Sequence, residues 1–167
     1  KKVQIVIAAL IISAVSMAQS KVVENFYNKY KDDRDASVVN LNGSIFELIA
    51  NIAALGEDED AETIARIADG INSMDILAIP MDRAGVAMSE IENLRSELKS
   101  EKYEELMTVR DGRERVYIMA KTTSKQIDNM LILVKGDDDK FVLMNLDGVL
   151  DMKDLAYLAE NRNRWGK

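Results

Sequence analysis

The chain reads as an α+β domain in which an antiparallel sheet, formed largely by two consecutive C-terminal hairpins, is covered by helices. Three observations give that reading. Between Tyr103 and Gly148 lie two pairs of strand-like apolar runs, each pair joined by turn residues. The segments before and after them carry apolar residues at three- and four-residue spacings, the helical period. No linker or low-complexity tract divides residues 19–160, so a single domain accounts for them.

Taken in order, Lys1-Lys2 and then Val3–Val15 have the charged and apolar regions of a secretory signal peptide. Ser16-Met17-Ala18 puts small residues at the −3 and −1 positions, so the expected signal peptide is 1–18, cut between Ala18 and Gln19. The apolar run falls short of the roughly 18–20 residues a spanning helix needs, and no stable membrane span is expected after cleavage. Ser20–Lys31 is an amphipathic helix with Val23, Phe26, Tyr27 and Tyr30 on one side. Ser37–Leu41 is a short strand, Asn42-Gly43 a turn, and Ser44 the cap of a helix from Ile45 to Leu55. Gly56–Asp60 is an acidic loop ahead of a helix over Ala61–Ile71, where negative charge meets the positive end of the helix dipole. Met74–Ile79 is a buried strand ended by Pro80, the single proline, and Met88–Lys99 is a helix that starts as early as Ala84.

The two hairpins carry the most specific expectations. Asp111-Gly112 suits a type I′ turn between Glu104–Arg110 and Arg113–Lys121, which pairs Arg110 with Arg113 and Met107 with Val116. In that register Met107, Val109, Val116 and Ile118 share the face expected to be core. Leu106, Thr108, Arg110, Arg113, Arg115 and Tyr117 share a face expected to be solvated or lightly covered. The second hairpin joins Ile127 and Met130–Val134 to Phe141–Leu146 through Gly136–Asp139, and its near-continuous apolar runs suit central strands covered on both faces. Asp147-Gly148 is expected to break the last strand, and Asp151 to cap a final helix, Met152–Asn161. Residues 161–167 make a loose tail.

Composition narrows the function classes. With 29 acidic against 22 basic residues the chain carries −7, which argues against nucleic acid and anionic membrane surfaces. It contains neither cysteine nor histidine, which removes disulfides, thiolate chemistry, Cys/His zinc sites and the commonest general base. No cofactor is expected, and the chain is read as non-enzymatic.

The run Phe26-Tyr27-Asn28-Lys29-Tyr30-Lys31-Asp32-Asp33, with Val39–Ile49 and Ile71–Ile79 after it, resembles the opening of the DUF4252 family. Tyr103–Leu158, with its two hairpins and an Asp-x-x-Asp-Leu helix start at Asp151, is similar to that family's second half. The resemblance implies a small exported protein of Bacteroidetes-type bacteria with no assigned activity, whose relatives include lipoproteins encoded near extracytoplasmic sigma-factor systems. The chain has no lipobox cysteine, so a lipid anchor does not carry over.

Each remaining motif has a plain structural account. Ser96-Glu97-Leu98-Lys99 has Ser-x-x-Lys spacing and Lys121-Thr122-Thr123 follows, but Ser-Asp-Asn is absent and Ser96 lies on an ordinary amphipathic helix. Asp137-Asp138-Asp139 lacks EF-hand spacing, and Glu57–Asp60 suits a helix start. Methionines such as Met107, Met130 and Met144 fall within strands as core filling, and Trp165 lies in the tail. Arg110, Arg113, Arg115 and Tyr117 make a small basic strip on an acidic protein and are the candidate partner-contact residues. The expected function is protein–protein contact in the periplasm or cell envelope. The alternative is a periplasmic small-molecule binder with its site between the sheet and the helices. A carboxylate hydrolase is a third class, requiring two acidic residues to face each other in a cleft.

Overall fold

The computed structural model describes residues 20–161; the expected signal peptide and residues 162–167 of the expected tail lie outside them. The strands are β1 (Ser37–Asn42), β2 (Ile71–Pro80), β3 (Glu104–Asp111), β4 (Glu114–Thr122), β5 (Gln126–Lys135) and β6 (Lys140–Asp151). They form one antiparallel sheet in the order β1-β2-β6-β5-β4-β3. The apolar runs of β5 and β6 do occupy its centre.

One face of the sheet is covered by α1 (Lys21–Tyr30), α4 (Met81–Ala84) and α5 (Met88–Ser100). The first helix starts where the Ser20 hydroxyl accepts from the Val23 amide at 3.2 Å, the usual service of a serine N-cap. Its Val23, Phe26 and Tyr30 are buried, with the Phe26 ring edge-on to Phe141 at 5.6 Å. Ile91, Leu94 and Leu98 turn the same way from α5. Beneath both helices lie Leu77, Ile79, Tyr117, Met119, Leu131, Leu133, Phe141 and Leu143, in the larger core of the protein.

The other face is covered at one end only. There α3 (Glu59–Asp69) and α6 (Met152–Asn161) close over Ala120, Ile127, Leu146 and Leu150, with Met74 and Met130 beside them. Arg66 of α3 is held to Asp154 of α6 at 2.8 Å, and the Tyr157 hydroxyl donates to Asp60 at 2.7 Å. Helix α2 (Gly43–Ala53) packs on α3 and against β1 and β2, with Phe46 and Ala50 buried and Ile45, Leu48, Ile49 and Ile52 exposed.

Several local expectations need correction. Asn42, with extended backbone, caps α2 by accepting from the Ser44 amide at 3.1 Å, so Ser44 is inside the helix. Asp58 caps α3 in the same way, which puts Glu59, Asp60 and Glu62 in its first turn and starts it two residues before Ala61. Asp151 does bind the Lys153 amide at the start of α6, and Asn161 is the last residue of that helix. Asp147-Gly148 does not end β6. The strand continues to Asp151 through an irregularity in its pairing with β2, because Gly148 lets the Gly70 carbonyl come close. A Cβ on Gly148 would lie 2.3 Å from the Gly70 oxygen and 2.9 Å from the Ile71 Cα, with φ at +156°.

The first hairpin is shifted. Asp111 pairs with Glu114 and Arg110 with Arg115, so the turn residues are Gly112-Arg113 and not Asp111-Gly112. Gly112 takes φ +52° at the first turn position while Arg113 keeps a negative φ, the glycine-first pattern of a II′ turn. The shift moves the pairing by two residues in sum, so Met107, Val109, Val116 and Ile118 still share a face. That face is not the main core. Met107 is 51% and Val109 44% exposed, whereas Tyr117 on the other side is 1% exposed. The reason is tertiary: α1 and α5 land on the Tyr117 side.

Gly148→Ala is expected to cost about 2 kcal/mol or more, through the clash with the Gly70 carbonyl. A urea melt with an unchanged midpoint would show that the β2–β6 approach has room to give.

Candidate functional site

The sheet places the four strip residues in different settings. Tyr117 is buried under α5, its hydroxyl donating to Glu92 at 3.2 Å and the Arg95 guanidinium stacked 3.6 Å from its ring centre. It is therefore not part of an accessible strip. Arg110 is exposed and stands opposite Arg115, while Arg113 lies at the turn. The Arg115 guanidinium donates to the carbonyls of Gly112 and Glu114 at 2.8 and 2.7 Å. Arg113, Arg115 and Lys135 do meet around a shallow hollow of about 370 Å³, with Met88 and Asp139 on its wall. Lys135 was missed in the sequence because its partner strand was not assigned to β4 there.

Arg95 knits α5 to the first hairpin. It binds Glu92 at 2.5 Å and Glu105 at 2.6 Å, while Lys99 reaches the same Glu105 oxygen at 3.3 Å. The Thr108 hydroxyl, then Arg95, hold the Glu105 carboxyl down from the ordinary 4.5 to about 2, against the opposing effect of burial. Burial pushes the Tyr103 phenol up from 10 to about 12; its hydroxyl donates to Asn129 at 2.8 Å. Lys99 of the Ser-x-x-Lys spacing is thus an ion-pair partner of Glu105, and Ser96 is exposed on α5. Asp138 pairs with Lys140 at 2.8 Å and Asp139 with Lys135 at 3.1 Å. Among the described residues no group of three acidic side chains is placed to hold a metal ion, and no helix is long and apolar enough to cross a membrane.

A broad surface feature is the bare part of the second sheet face. Two rows run across all six strands there, each taking one residue from every strand. The first is Val39, Ile76, Met144, Ile132, Ile118 and Met107. The second is Ser37, Ala78, Val142, Val134, Val116 and Val109. No charge interrupts either row. Val39 is 46% exposed at one edge and Met107 and Val109 flank the other, with the residues between them half-buried. Beyond the second row the same face ends in Lys140, Glu114 and Asp111. An antiparallel sheet with one solvated face normally alternates apolar with polar residues, and this one does not. Large contiguous exposed apolar surface is the usual character of an interaction site. The signal was present in the sequence, since β5 and β6 read as strands covered on both faces.

A small α+β protein with a half-covered antiparallel sheet and no described catalytic constellation is the class these features define. The chain belongs to the DUF4252 family, a domain of unknown function, whose model matches residues 30–158. That span runs from the end of α1 to α6 and takes in the whole sheet. No curated protein and no solved structure matches the chain.

Glu105→Gln is expected to lower stability by about 1 kcal/mol at pH 7, the discounted value for a partly exposed ion-pair network. A carboxyl with a depressed folded pKa stabilises above its unfolded value and loses that contribution as pH falls through the folded one. The difference between wild type and variant should therefore close between pH 4.5 and about 2. A difference that stays constant over that window, measured by denaturant melts, would remove Glu105 as an ionised partner of Arg95.

Proposed function

We propose that this protein is an exported, non-enzymatic component of the cell envelope that acts by binding protein through the bare apolar face of its sheet. The observation that carries the reading is the pair of uncharged rows from Val39 to Met107 and from Ala78 to Val109. Burying such side chains is worth about 25 cal/mol per Å² of apolar area, and the face offers several strands' width of it to a partner. Export is supported by the leader-like 1–18, and a non-enzymatic role by the absence of cysteine and histidine. Beyond the second row the face is bordered by Lys140, Glu114 and Asp111, a mixed-charge rim for a partner edge.

The test is a photo-crosslinking amino acid at Val134, in the middle of the face, introduced in the living cell. A covalent protein adduct is the expected outcome, and the same probe at exposed Glu47 on α2 should give none. A folded protein that never forms an adduct at Val134 would overturn the reading. Val142→Lys, which puts a charge in the second row, should weaken the adduct several-fold, with folding checked by circular dichroism.

A second reading rests on a hollow of about 180 Å³ between α1 and the sheet, lined by Val23, Glu24, Tyr27, Asn28, Asp75 and Asn145. Asn145 is buried and its side-chain oxygen accepts from Asn129 at 3.3 Å. With Glu24 and Asp75 as acceptors, the hollow suits a compact amine. A rise in melting temperature with millimolar methylamine or methylguanidine would favour it. A flat profile, lost neither with nor without Asp75→Asn, would leave protein contact as the sole reading.

A further inference from the structure

The cations beside the first hairpin turn play no part in the contact reading, because Arg110, Arg115 and Lys135 share the Tyr117 face of the sheet and not the bare one. We propose that the hollow between the Gly112-Arg113 turn, β5 and the start of α5 binds a phosphate monoester, held by Arg113, Arg115 and Lys135. The register builds this cluster. Arg115 stands opposite Arg110 on one side and opposite Lys135 on the other, so three cations lie side by side on adjacent strands. Neighbouring strands are about 4.8 Å apart, and like charges directly opposite each other are destabilising. On a chain of −7 such a concentration of positive charge is a local exception, and a bound anion relieves it.

The side chains keep donors in reserve. Arg115 spends one nitrogen, Nη1, on the carbonyls of Gly112 and Glu114, which pins its guanidinium beside the turn. Its Nε and Nη2 have no partner among the described residues. Lys135 gives two of its three protons to the Gly136 carbonyl and to Asp139, at 3.0 and 3.1 Å, and keeps one. Only 14% of its side chain is exposed. Arg113 has no hydrogen bond or ion pair among the described residues. Two guanidinium forks and an ammonium around one space make a donor set for an oxyanion with several oxygens. Met88, the first residue of α5, closes the hollow on the helix side, and Ala87 caps that helix without a side-chain acceptor. The positive end of the helix dipole therefore adds to the same field.

Charge selects the phosphate monoester among oxyanions. The three cations share the hollow with one carboxylate, Asp139, which leaves two positive charges uncompensated. A carboxylate or a sulfate ester supplies a single negative charge. A phosphate monoester carries about −1.5 to −2 at pH 7 and offers three acceptor oxygens. The hairpin ends beside the hollow also carry Asp111, Glu114 and Asp137, which repel a strand of phosphates running beyond it. The volume of about 370 Å³ lies at the lower end of small-molecule sites, about 300–1,000 Å³. Beyond the phosphate it leaves room for the ester's organic group, with Met88 as an adaptable apolar wall.

The experiment is an amide NMR titration of the exported protein with glycerol 1-phosphate at fixed ionic strength, up to about 20 mM, which spans a Kd near 1 mM. Saturable shifts should cluster at Met88, at Gly112–Arg115 and at Lys135–Asp139. Arg113→Gln alters an exposed side chain that holds nothing else in place and should raise Kd about tenfold, as should Lys135→Gln. Lys153→Gln on α6 removes the same charge from the other side of the sheet and should leave Kd unchanged. Methyl sulfate, of the same shape with one negative charge, should bind several-fold more weakly. Vesicles of phosphatidic acid present the same group on a surface. Co-sedimentation that Arg113→Gln abolishes assigns the site to a lipid-borne monoester, and its absence beside glycerol 1-phosphate binding assigns it to a soluble one. Shifts that stay linear to the end of the titration, equal affinity for methyl sulfate, or an unchanged Kd in both Arg113→Gln and Lys135→Gln would overturn the proposal. The Val134 photo-probe reads the opposite face, so neither reading falls with the other.

Discussion

Strands that are apolar at consecutive positions have two faces to keep from water, and that demand governs this molecule. From Val116 to Ala120, Met130 to Val134 and Phe141 to Met144, side chains on both sides of the sheet are hydrophobic or aromatic. The helices meet the demand unevenly. Those before β1 and after β2 supply one full layer, built on Val23, Phe26, Ile91, Leu94 and Leu98. Those after β1 and β6 supply a partial layer, built on Ile67 and Leu155. The bare rows are what remains when both layers are in place.

The choice of face depends on α5. Its Arg95 lies over the Tyr117 ring and binds Glu105, which ties the helix to both strands of the first hairpin. A guanidinium stacked on an aromatic ring and held by carboxylates keeps its charge while its stem covers apolar surface. Together with Leu98, which is wholly buried, this contact puts the Tyr117 side of β4 inside. Val116 and Ile118 are thereby turned outward. An arginine-rich strand face beside a tyrosine is consequently a roofed surface here, although its composition alone points to solvent.

The elements themselves were readable because their signals are local. Periodicity placed every helix longer than four residues, and the apolar runs of β5 and β6 placed the sheet's centre. The cap at Asp151 followed from residue type. The cap misreadings at α2 and α3 are local, whereas those of the face and of Gly148 arose because a distant segment decided between locally equivalent options. Asp111-Gly112 and Gly112-Arg113 both supply a tight turn, and the β3–β4 register adopts the second. Gly148 resembles a strand terminator until the Gly70 carbonyl is seen to need its missing Cβ. Four alternating residues per strand mark which side chains share a face without saying which face receives the helices. The bare surface was half legible for the same reason: strands suited to double coverage were visible, and the shortage of cover became visible only in three dimensions.

An open apolar face also has to be kept from stacking indiscriminately, and the molecule's edges show how. Strand β3 exposes Glu104, Arg110 and Asp111 and has a pairing irregularity between Glu105 and Met107, two devices that discourage further strand addition. The turns at Gly112-Arg113 and Gly136–Asp139 lie at one end of the sheet and border the bare rows there with charge. Charged residues flanking a hydrophobic stretch act as gatekeepers against aggregation. Strand β1 has neither charge nor proline and relies on being only six residues long. Contact on this protein is thus steered away from its edges and onto its face, where shape and register can discriminate. Such edges make the face, and not the strand edges, the exposed apolar surface that the fold leaves open.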